Sequence, residues 1–244
     1  MSQDARAALA PTGTLRAGIN LSNFLLVTST ATNGDPQGCS PSMAAHIAES
    51  IGVPVSYVAY ESPGLLADDA DNDQWDIGLI GAEPARAQSI NFTAAYVEIE
   101  STYLVPPGSP LQTVADVDQP GIRIAVAERS AYDLWLTRNI KHAELVRVVG
   151  LDESFDLFVN EGLDALAGLR PRLITDVERI PGARIMHERF SAVQQAVGVP
   201  RSRGKAGIAH LRQVVETAKA SGLVAGLIEQ HGVSGGLTVA PAQD

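Results

Sequence analysis

The strongest indication of the fold is the segment Trp75-Asp76-Ile77-Gly78-Leu79-Ile80-Gly81, which is followed closely by Pro84. This short, almost wholly apolar run is typical of a strand buried in a parallel sheet. Pro84 then starts a helical turn, because proline is favoured at the first position of a helix. A buried strand that passes directly into a helical start predicts one βα unit of a parallel sheet covered by helices.

The same alternation of strand and helix extends toward the N-terminus. Leu15–Asn20 and Val53–Tyr60 are short runs that predict two further strands. Ser40-Pro41 and Ser62-Pro63 each place a capping serine before a proline suited to the first helical turn, so each predicts a helix start. Gly52 is expected to end the first of these helices.

The pattern restarts downstream with a second set of strands and helices. Ser130, Asp152 and Pro171 are predicted to start the helices of this set. Two more helices, Lys205–Ser221 and Leu223–His231, are expected to close the chain. The predicted extended segments are Glu98–Val105, Gly121–Ala127, Glu144–Val148, Asp164–Leu169 and Ala192–Val199.

Two runs of the βα pattern predict an α/β protein with two lobes, the second inserted into the first. The expected bounds are residues 1–99 for the first part of lobe 1, 100–192 for lobe 2 and 193–244 for the C-terminal part of lobe 1. Two extended crossings, near 97–103 and 190–196, connect the lobes. A ligand cleft is expected where the carboxyl ends of strands from both lobes face each other.

Composition restricts the classes of function. The chain has 18 basic and 28 acidic residues, a net charge of -10, which argues against binding to nucleic acid or an anionic membrane. Cys39 is the only cysteine, so no intrachain disulfide can form, and the five histidines lack metal-ligand spacing. No apolar run approaches the roughly 20 residues of a membrane helix. The sequence therefore predicts no metal, no cofactor and no membrane-embedded segment.

The first six residues, Met1–Arg6, are polar and lack the basic-then-apolar order of a secretory signal. The sequence as written predicts a cytoplasmic protein. A periplasmic location is expected instead if a leader has been removed.

Taken together, these segments resemble the family 3 solute-binding proteins, which have the type 2 periplasmic binding fold and serve amino-acid ABC transporters. The resemblance runs from about Thr14 to Gly232. It implies a protein that binds amino acids or related small molecules by closing its lobes about a hinge. In a transport role, it implies an ABC permease as partner. The segments that carry it are Gly13–Gly18, Asp35–Gly38, Trp75–Gly81 with Pro84–Ala87 and Ile90–Thr93, and Gly162–Ala165.

The resemblance assigns a carboxylate-binding role to two residues. Arg86 matches the arginine that clamps the ligand's α-carboxylate, and a guanidinium does pair with a carboxylate through two parallel hydrogen bonds. The alternative for Arg86 is an arginine on a helix surface. Ser130 matches a hydroxyl residue at a helix N-terminus, where free N–H groups meet the same carboxylate. Ser130 also fits a plain N-cap with Asp133 as its box partner, and both roles are compatible. Gly81 and Ala131 belong to the same expected ligand-binding set.

Leu169 departs from the family pattern. Amino-acid binders usually carry an acidic residue here, which holds the ligand's ammonium. An apolar residue cannot pair with a buried ammonium, and an unpaired buried charge is costly. This position therefore predicts a ligand with a carboxylate at one end and an apolar or aromatic body. In the alternative, Glu83 or Glu153 holds the amine and ordinary amino acids bind. Glu83 fits equally well as an exposed first-turn residue favoured by the helix dipole.

Further residues complete the expected cleft. Asn23-Phe24 stands where the family has an aromatic residue followed by prolines, and Phe24, Tyr60 and Tyr132 are expected to add aromatic surface. An enzyme on the same fold is the alternative function, since cyclohexadienyl dehydratases share the fold. That chemistry needs a proton donor or acceptor in the cleft, and only Glu83, Tyr132 and Glu153 are candidates. A soluble sensor of a metabolite is a third reading.

Overall fold

The structure is a computed structural model that describes residues 3–203 and 205–243, so Met1 and Ser2 of the polar N-terminal stretch lie outside the described residues. The chain forms two compact units. Unit 1 comprises the residues up to Glu98 and from Gln194 onward, and unit 2 comprises Ile99–Val193. Each of these limits lies one residue from the lobe boundary expected from the sequence. In the part of the chain that the structure describes, no helix combines the length and hydropathy needed to cross a membrane.

Strands and helices alternate along the chain as expected. The strands are β1 Leu15–Asn20, β2 Ser29–Thr30, β3 Pro36–Gln37, β4 Val55–Tyr60, β5 Ile77–Gly81, β6 Ile90–Val105, β7 Arg123–Ala127, β8 Glu144–Val148, β9 Ala165–Leu169, β10 Arg184–Ile185, β11 Ser191–Pro200 and β12 Thr238–Val239. The helices are α1 Gln3–Leu9, α2 Cys39–Ser50, α3 Pro63–Asp68, α4 Ala131–Asn139, α5 Leu151–Asn160, α6 Arg170–Val177, α7 Lys205–Ala220 and α8 Leu223–Gln230.

In unit 1, β1 lies between β4 and β5, and all three strands are parallel. Strand β11 pairs with β5 in the antiparallel direction, with Gln195 opposite Gly81. Because β1, β4 and β5 run the same way, their last residues Asn20, Tyr60 and Gly81 lie at one edge of the sheet, the carboxyl edge of unit 1. Ligands bind at this edge in open α/β sheets.

Trp75 packs against the centre of this sheet. It is fully buried, and its indole N–H donates to the Leu66 carbonyl at 3.1 Å. Its ring lies so close to Gly18 and Gly78 that a Cβ on either glycine would stand 3.2 Å from a ring carbon. These neighbouring strand positions therefore favour glycine, because a side chain there would displace the indole.

Unit 2 repeats the arrangement with its own strands. Strand β7 pairs in parallel with β8 and with β9, and β6 runs antiparallel to β9, with Ser101 opposite Leu169. The last residues of β7, β8 and β9, which are Ala127, Val148 and Leu169, form the carboxyl edge of unit 2. The core beneath the sheet is a cluster of Leu104, Ala125, Phe155, Phe158, Leu163, Leu166 and Leu173.

Two helix starts differ from the sequence prediction. Ser40 does not cap α2, which begins directly after Gly38; the Ser40 hydroxyl instead lies 2.7 Å from the Tyr96 hydroxyl in the core. Asp152 lies inside α5, which follows Gly150, and it accepts a hydrogen bond from Arg172 at 2.6 Å. Both glycines have positive φ, 148° and 108° respectively, a conformation that serine and aspartate rarely adopt.

Asp76 is a buried carboxylate immediately before β5. Its carboxylate accepts hydrogen bonds from the Arg16 backbone N–H at 2.9 Å and the Arg16 Nε at 3.1 Å. Arg203 Nη2 lies 2.8 Å from Asp76 Oδ1. The hydrogen bond with Asp76 is the largest cause that raises the pKa of Arg16 above its ordinary value. These contacts join β1, the segment before β5 and the segment after β11.

Asp118 holds the loop between α4 and β8. Its carboxylate accepts three backbone N–H groups, from Lys141 at 3.1 Å, His142 at 2.7 Å and Ala143 at 3.0 Å. Burial acts to raise the pKa of Asp118, but these hydrogen bonds outweigh it and the pKa lies below its usual value.

We expect Asp118→Asn to lower the free energy of unfolding by about 1 kcal/mol at neutral pH, since the amide keeps an acceptor but loses the charge. A carboxyl whose pKa is lowered by folding stabilises the protein fully above its unfolded pKa of about 3.9. That contribution is lost as the pH falls through the lower folded pKa. Urea denaturation of both proteins should therefore show a difference at neutral pH that shrinks near pH 3. An equal difference at both pH values would contradict the assignment.

Candidate ligand-binding site

The expected ligand residues of unit 1 gather at its carboxyl edge. This edge collects the residues because β1, β4 and β5 are parallel and each passes into a loop or turn there. The residues are Asn23 and Phe24 after β1, Tyr60 at the end of β4, Gly81 at the end of β5, and Glu83 and Arg86 just beyond it.

Arg86 is a buried arginine at this edge. It begins the short 3-10 turn Arg86–Gln88, and only 6% of it is exposed, so it is not a surface arginine. Its Nη1 donates to the Gly81 carbonyl at 2.8 Å, which fixes the guanidinium beside the end of β5. Glu83 is buried as well, so it is not an exposed first-turn residue. A buried guanidinium at a strand end is well placed to receive a carboxylate.

The other polar and aromatic residues of unit 1 have internal partners. Asn23 shapes the loop after β1, because its side-chain oxygen accepts from Leu25 N–H at 3.2 Å. Tyr60 is buried, belongs to the core cluster around Trp75, and donates its hydroxyl to Asp69 at 2.9 Å. Burial raises the pKa of Tyr60 above its ordinary value. Phe24, by contrast, is exposed.

The expected residues of unit 2 gather at the carboxyl edge of that unit. Ser130, Ala131 and Tyr132 follow β7 and open α4, and Leu169 ends β9. Ser130 caps α4, since its hydroxyl accepts from Asp133 N–H at 3.1 Å. The reciprocal bond of a capping box is displaced by one residue, because the Asp133 carboxylate accepts from Arg129 N–H at 2.7 Å.

Arg129 is a feature that the sequence did not reveal. Its φ of 59° lies in the left-handed region, which costs a residue other than glycine roughly 1–3 kcal/mol. This strained residue stands directly before Ser130, and the Asp133 carboxylate holds its N–H in place. Backbone strain concentrates at functional sites. No sequence pattern signals positive φ at an arginine, so only the structure identifies it.

The remaining candidates differ in their surroundings. Leu169 is buried and offers an apolar wall at the end of β9. Tyr132 is buried too, and burial raises the pKa of its phenol. Glu153 is exposed and folds back over Gly150, where a Cβ would collide with its carboxylate. Within residues 3–203 and 205–243, no cluster of three or more His, Cys, Asp or Glu side chains is arranged to bind a metal ion.

Comparison with known proteins identifies the family. Residues 15–233 match the bacterial extracellular solute-binding proteins, family 3, and the chain belongs to this family. The resemblance seen in the sequence is thereby confirmed. No curated protein sequence matches the chain.

Solved structures share the fold over nearly the whole chain. The solute receptor for L-cysteine of Neisseria gonorrhoeae has a TM-score of 0.75 at 19% identity, covering 97% of this chain and 100% of that chain. An amino acid ABC transporter substrate-binding protein from Streptococcus pneumoniae, bound to L-arginine, has a TM-score of 0.72 at 16% identity and covers 98% and 100%. An ancestral amino acid-binding protein, a precursor of cyclohexadienyl dehydratase, has a TM-score of 0.72 at 17% identity and covers 92% and 98%. The mixed α/β fold of type 2 periplasmic binding proteins is confirmed.

Proposed function

We propose that this solute-binding protein binds a small carboxylate through Arg86 of unit 1 and the start of α4, at Ser130, in unit 2. The observation that carries the proposal is the burial of the Arg86 guanidinium at the carboxyl edge of a parallel sheet, fixed by the Gly81 carbonyl. Ser130 caps a helix of nine residues, and a helix N-terminus favours an anion. We assign both residues to the same ligand because of the family resemblance.

The ligand class follows from the residue that would face an ammonium group. Leu169 is buried and apolar, so it leaves a buried ammonium without a partner, at a high cost. We propose a carboxylate without an amine, carrying an apolar or aromatic body. Glu153 is exposed to solvent, which argues against it as the partner of a buried ammonium. Buried Glu83 is the stronger alternative, and it predicts the opposite result in the test below.

The test is a thermal-shift panel of matched acids. It compares amino, hydroxy and oxo acids with methyl, isobutyl and benzyl side chains, from alanine, lactate and pyruvate to their phenyl counterparts. A ligand at about 100 times its Kd stabilises the folded protein by about 2.7 kcal/mol, which raises the melting temperature measurably. We expect the hydroxy or oxo acids to stabilise the wild type and the amino acids to have no effect.

Variants at Leu169 sharpen this test. Leu169→Asp should shift the preference toward amino acids, because a buried carboxylate needs a cation beside it. Leu169→Asn is the matched control, since it is polar but uncharged and should gain no such preference. Stabilisation of the wild type by amino acids alone would show that the interpretation of Leu169 is wrong.

A binding role without catalysis is part of the proposal. Glu83, one of the three candidate acids or bases, is buried, and the assay below tests it. Of the other two, Tyr132 has a pKa raised by burial, and Glu153 lies exposed on α5. Neither arrangement suits general acid–base chemistry near neutral pH. Incubation of the purified protein with a cyclohexadienyl carboxylic acid, followed by product analysis, should show no turnover. Product formation would favour the dehydratase alternative.

Membership of the family supports a role as the binding component of an ABC transporter, with a permease as partner. We propose this role, with the periplasm as the location. Fractionation of native cells tests it, and a cytoplasmic protein would favour a soluble sensor instead.

A further inference from the structure

Asp133 is a buried carboxylate in the first turn of α4, close to the position where the ligand's carboxylate is proposed to bind. The residue is 3% exposed, and it belongs to the helix that Ser130 caps. A negative charge at this position repels an incoming carboxylate, because a site shielded from water screens charges poorly. The proposed site therefore needs a cation that compensates Asp133.

Arg147 of β8 supplies this compensating charge. Its Nε donates to Asp133 Oδ1 at 2.9 Å. Its Nη2 donates to the Thr137 hydroxyl at 2.9 Å, and that hydroxyl donates to the Asp133 carbonyl at 2.8 Å. Two residues of α4, one helical turn apart, thus fix the guanidinium against the buried carboxylate.

The Asp133 carboxylate also orders the turn that leads into α4. Its Oδ2 accepts from the Arg129 N–H at 2.7 Å and so holds that residue at its φ of 59°. The Asp133 backbone N–H donates to the Ser130 hydroxyl at 3.1 Å. The turn therefore needs an acceptor at Asp133, whereas the anion that the turn is proposed to bind is repelled by the charge of that acceptor.

We infer that Arg147 is a positioning residue of the carboxylate site, which acts through Asp133 and does not touch the ligand. Its guanidinium cancels the charge of the carboxylate that holds the turn at Arg129 and Ser130. The start of α4 thereby keeps its attraction for an anion. The inference rests on the proposed function, and it adds to the site a residue that the family motif does not indicate.

Calorimetry on single and double variants tests the charge argument. The probes are phenyllactate and phenylalanine, with lactate and alanine as a smaller pair, so a carboxylate is titrated whichever class binds. Arg147→Gln should weaken binding about tenfold, since it leaves an uncompensated negative charge near the carboxylate. Asp133→Asn should bind at least as tightly as the wild type, because the amide oxygen still accepts the Arg129 N–H and the opposing charge is gone. The double variant should return to within about threefold of the wild-type affinity.

Arg123 provides the matched control. It is the first residue of β7, at the opposite end of that strand from the turn at Arg129, and its Nη2 lies 2.8 Å from Glu161 Oε2. Its side chain is 40% exposed, against 36% for Arg147, so solvent screens the two arginines alike. Arg123→Gln should leave the affinity within about twofold of the wild type. A loss as large as that of Arg147→Gln would overturn the inference, since any cation of unit 2 would then have the same effect.

The outcomes distinguish this inference from the proposed function. If Arg147→Gln binds as tightly as the wild type, Arg147 is only a structural partner of α4, and the inference fails while carboxylate binding stands. The inference fails in the same way if adding Asp133→Asn does not restore the lost affinity, because the loss then comes from a disturbed helix and not from charge. If the wild type binds none of the four probes, both the inference and the proposed function are overturned.

Discussion

Replacing Arg86 with alanine should reduce affinity for the carboxylate ligand by roughly 30- to 4,000-fold. This range corresponds to the 2–5 kcal/mol lost when one partner of a buried, hydrogen-bonded charge pair is removed. The reason lies in the burial of Arg86 and in the guanidinium geometry that the Gly81 carbonyl fixes. Calorimetry with the acid that gives the largest thermal shift measures the effect. Unchanged affinity would overturn the assignment of Arg86.

The same variant should remain folded but melt at a lower temperature. Loss of the hydrogen bond from the charged guanidinium to Gly81 costs about 1.5–3 kcal/mol of stability, so calorimetry is run below the melting temperature of the variant. Arg86→Lys keeps the charge but not the planar fork, so its affinity should lie between those of the wild type and the alanine variant.

Arg201 offers a control arginine for this experiment. It is exposed, and its Nε donates to the Ala87 carbonyl at 2.8 Å, so it also binds the turn that contains Arg86. Arg201→Ala should leave ligand affinity within about twofold of the wild type. A large loss in this variant would mean that any disturbance of the turn weakens binding.

Replacing Asp76 with alanine should lower the free energy of unfolding by about 3 kcal/mol, the lower end of the range for breaking a buried pair. Asp76 is 1% exposed and compensates two arginines, Arg16 and Arg203. Their partial exposure places the expected cost at the lower end. Urea denaturation measures the loss of stability, and calorimetry on the folded variant measures ligand affinity. A lower free energy of unfolding with unchanged affinity would show that Asp76 stabilises unit 1 and does not bind the ligand.

Asp73 is the matched control for Asp76. It pairs with the same Arg16 and Arg203, but 76% of its side chain is exposed. Solvent screens such a pair, so Asp73→Asn should change stability far less than Asp76→Ala does. Asparagine also tolerates the positive φ of 54° at this position. Equal losses in the two variants would contradict the argument from burial.

Local sequence signals predicted the elements whose cause is local. The apolar runs predicted β1 and β8 with their observed bounds, and Ser62 and Ser130 cap α3 and α4 as expected. The starts of α2 and α5 were missed because they depend on backbone conformation at Gly38 and Gly150. Strand β6 begins at Ile90, eight residues before its predicted start, since pairing with distant segments extends it.

Among the residues of the candidate site, some could likewise be predicted from local sequence and others only from tertiary packing. The family motif identified Arg86, because its spacing from the preceding strand is a property of the sequence. The burial of Glu83 and the internal hydrogen bond of Tyr60 depend on tertiary packing, which no motif records.

The two tryptophans of the sequence give each unit its own intrinsic fluorophore. Trp75 is fully buried in unit 1, whereas Trp135 is partly exposed in unit 2, beside the Phe190 ring. An indole shielded from water emits at shorter wavelength than one in contact with it, so the two signals are separable. A single Trp→Phe change at either position would then report the melting of one unit alone, without any attached dye.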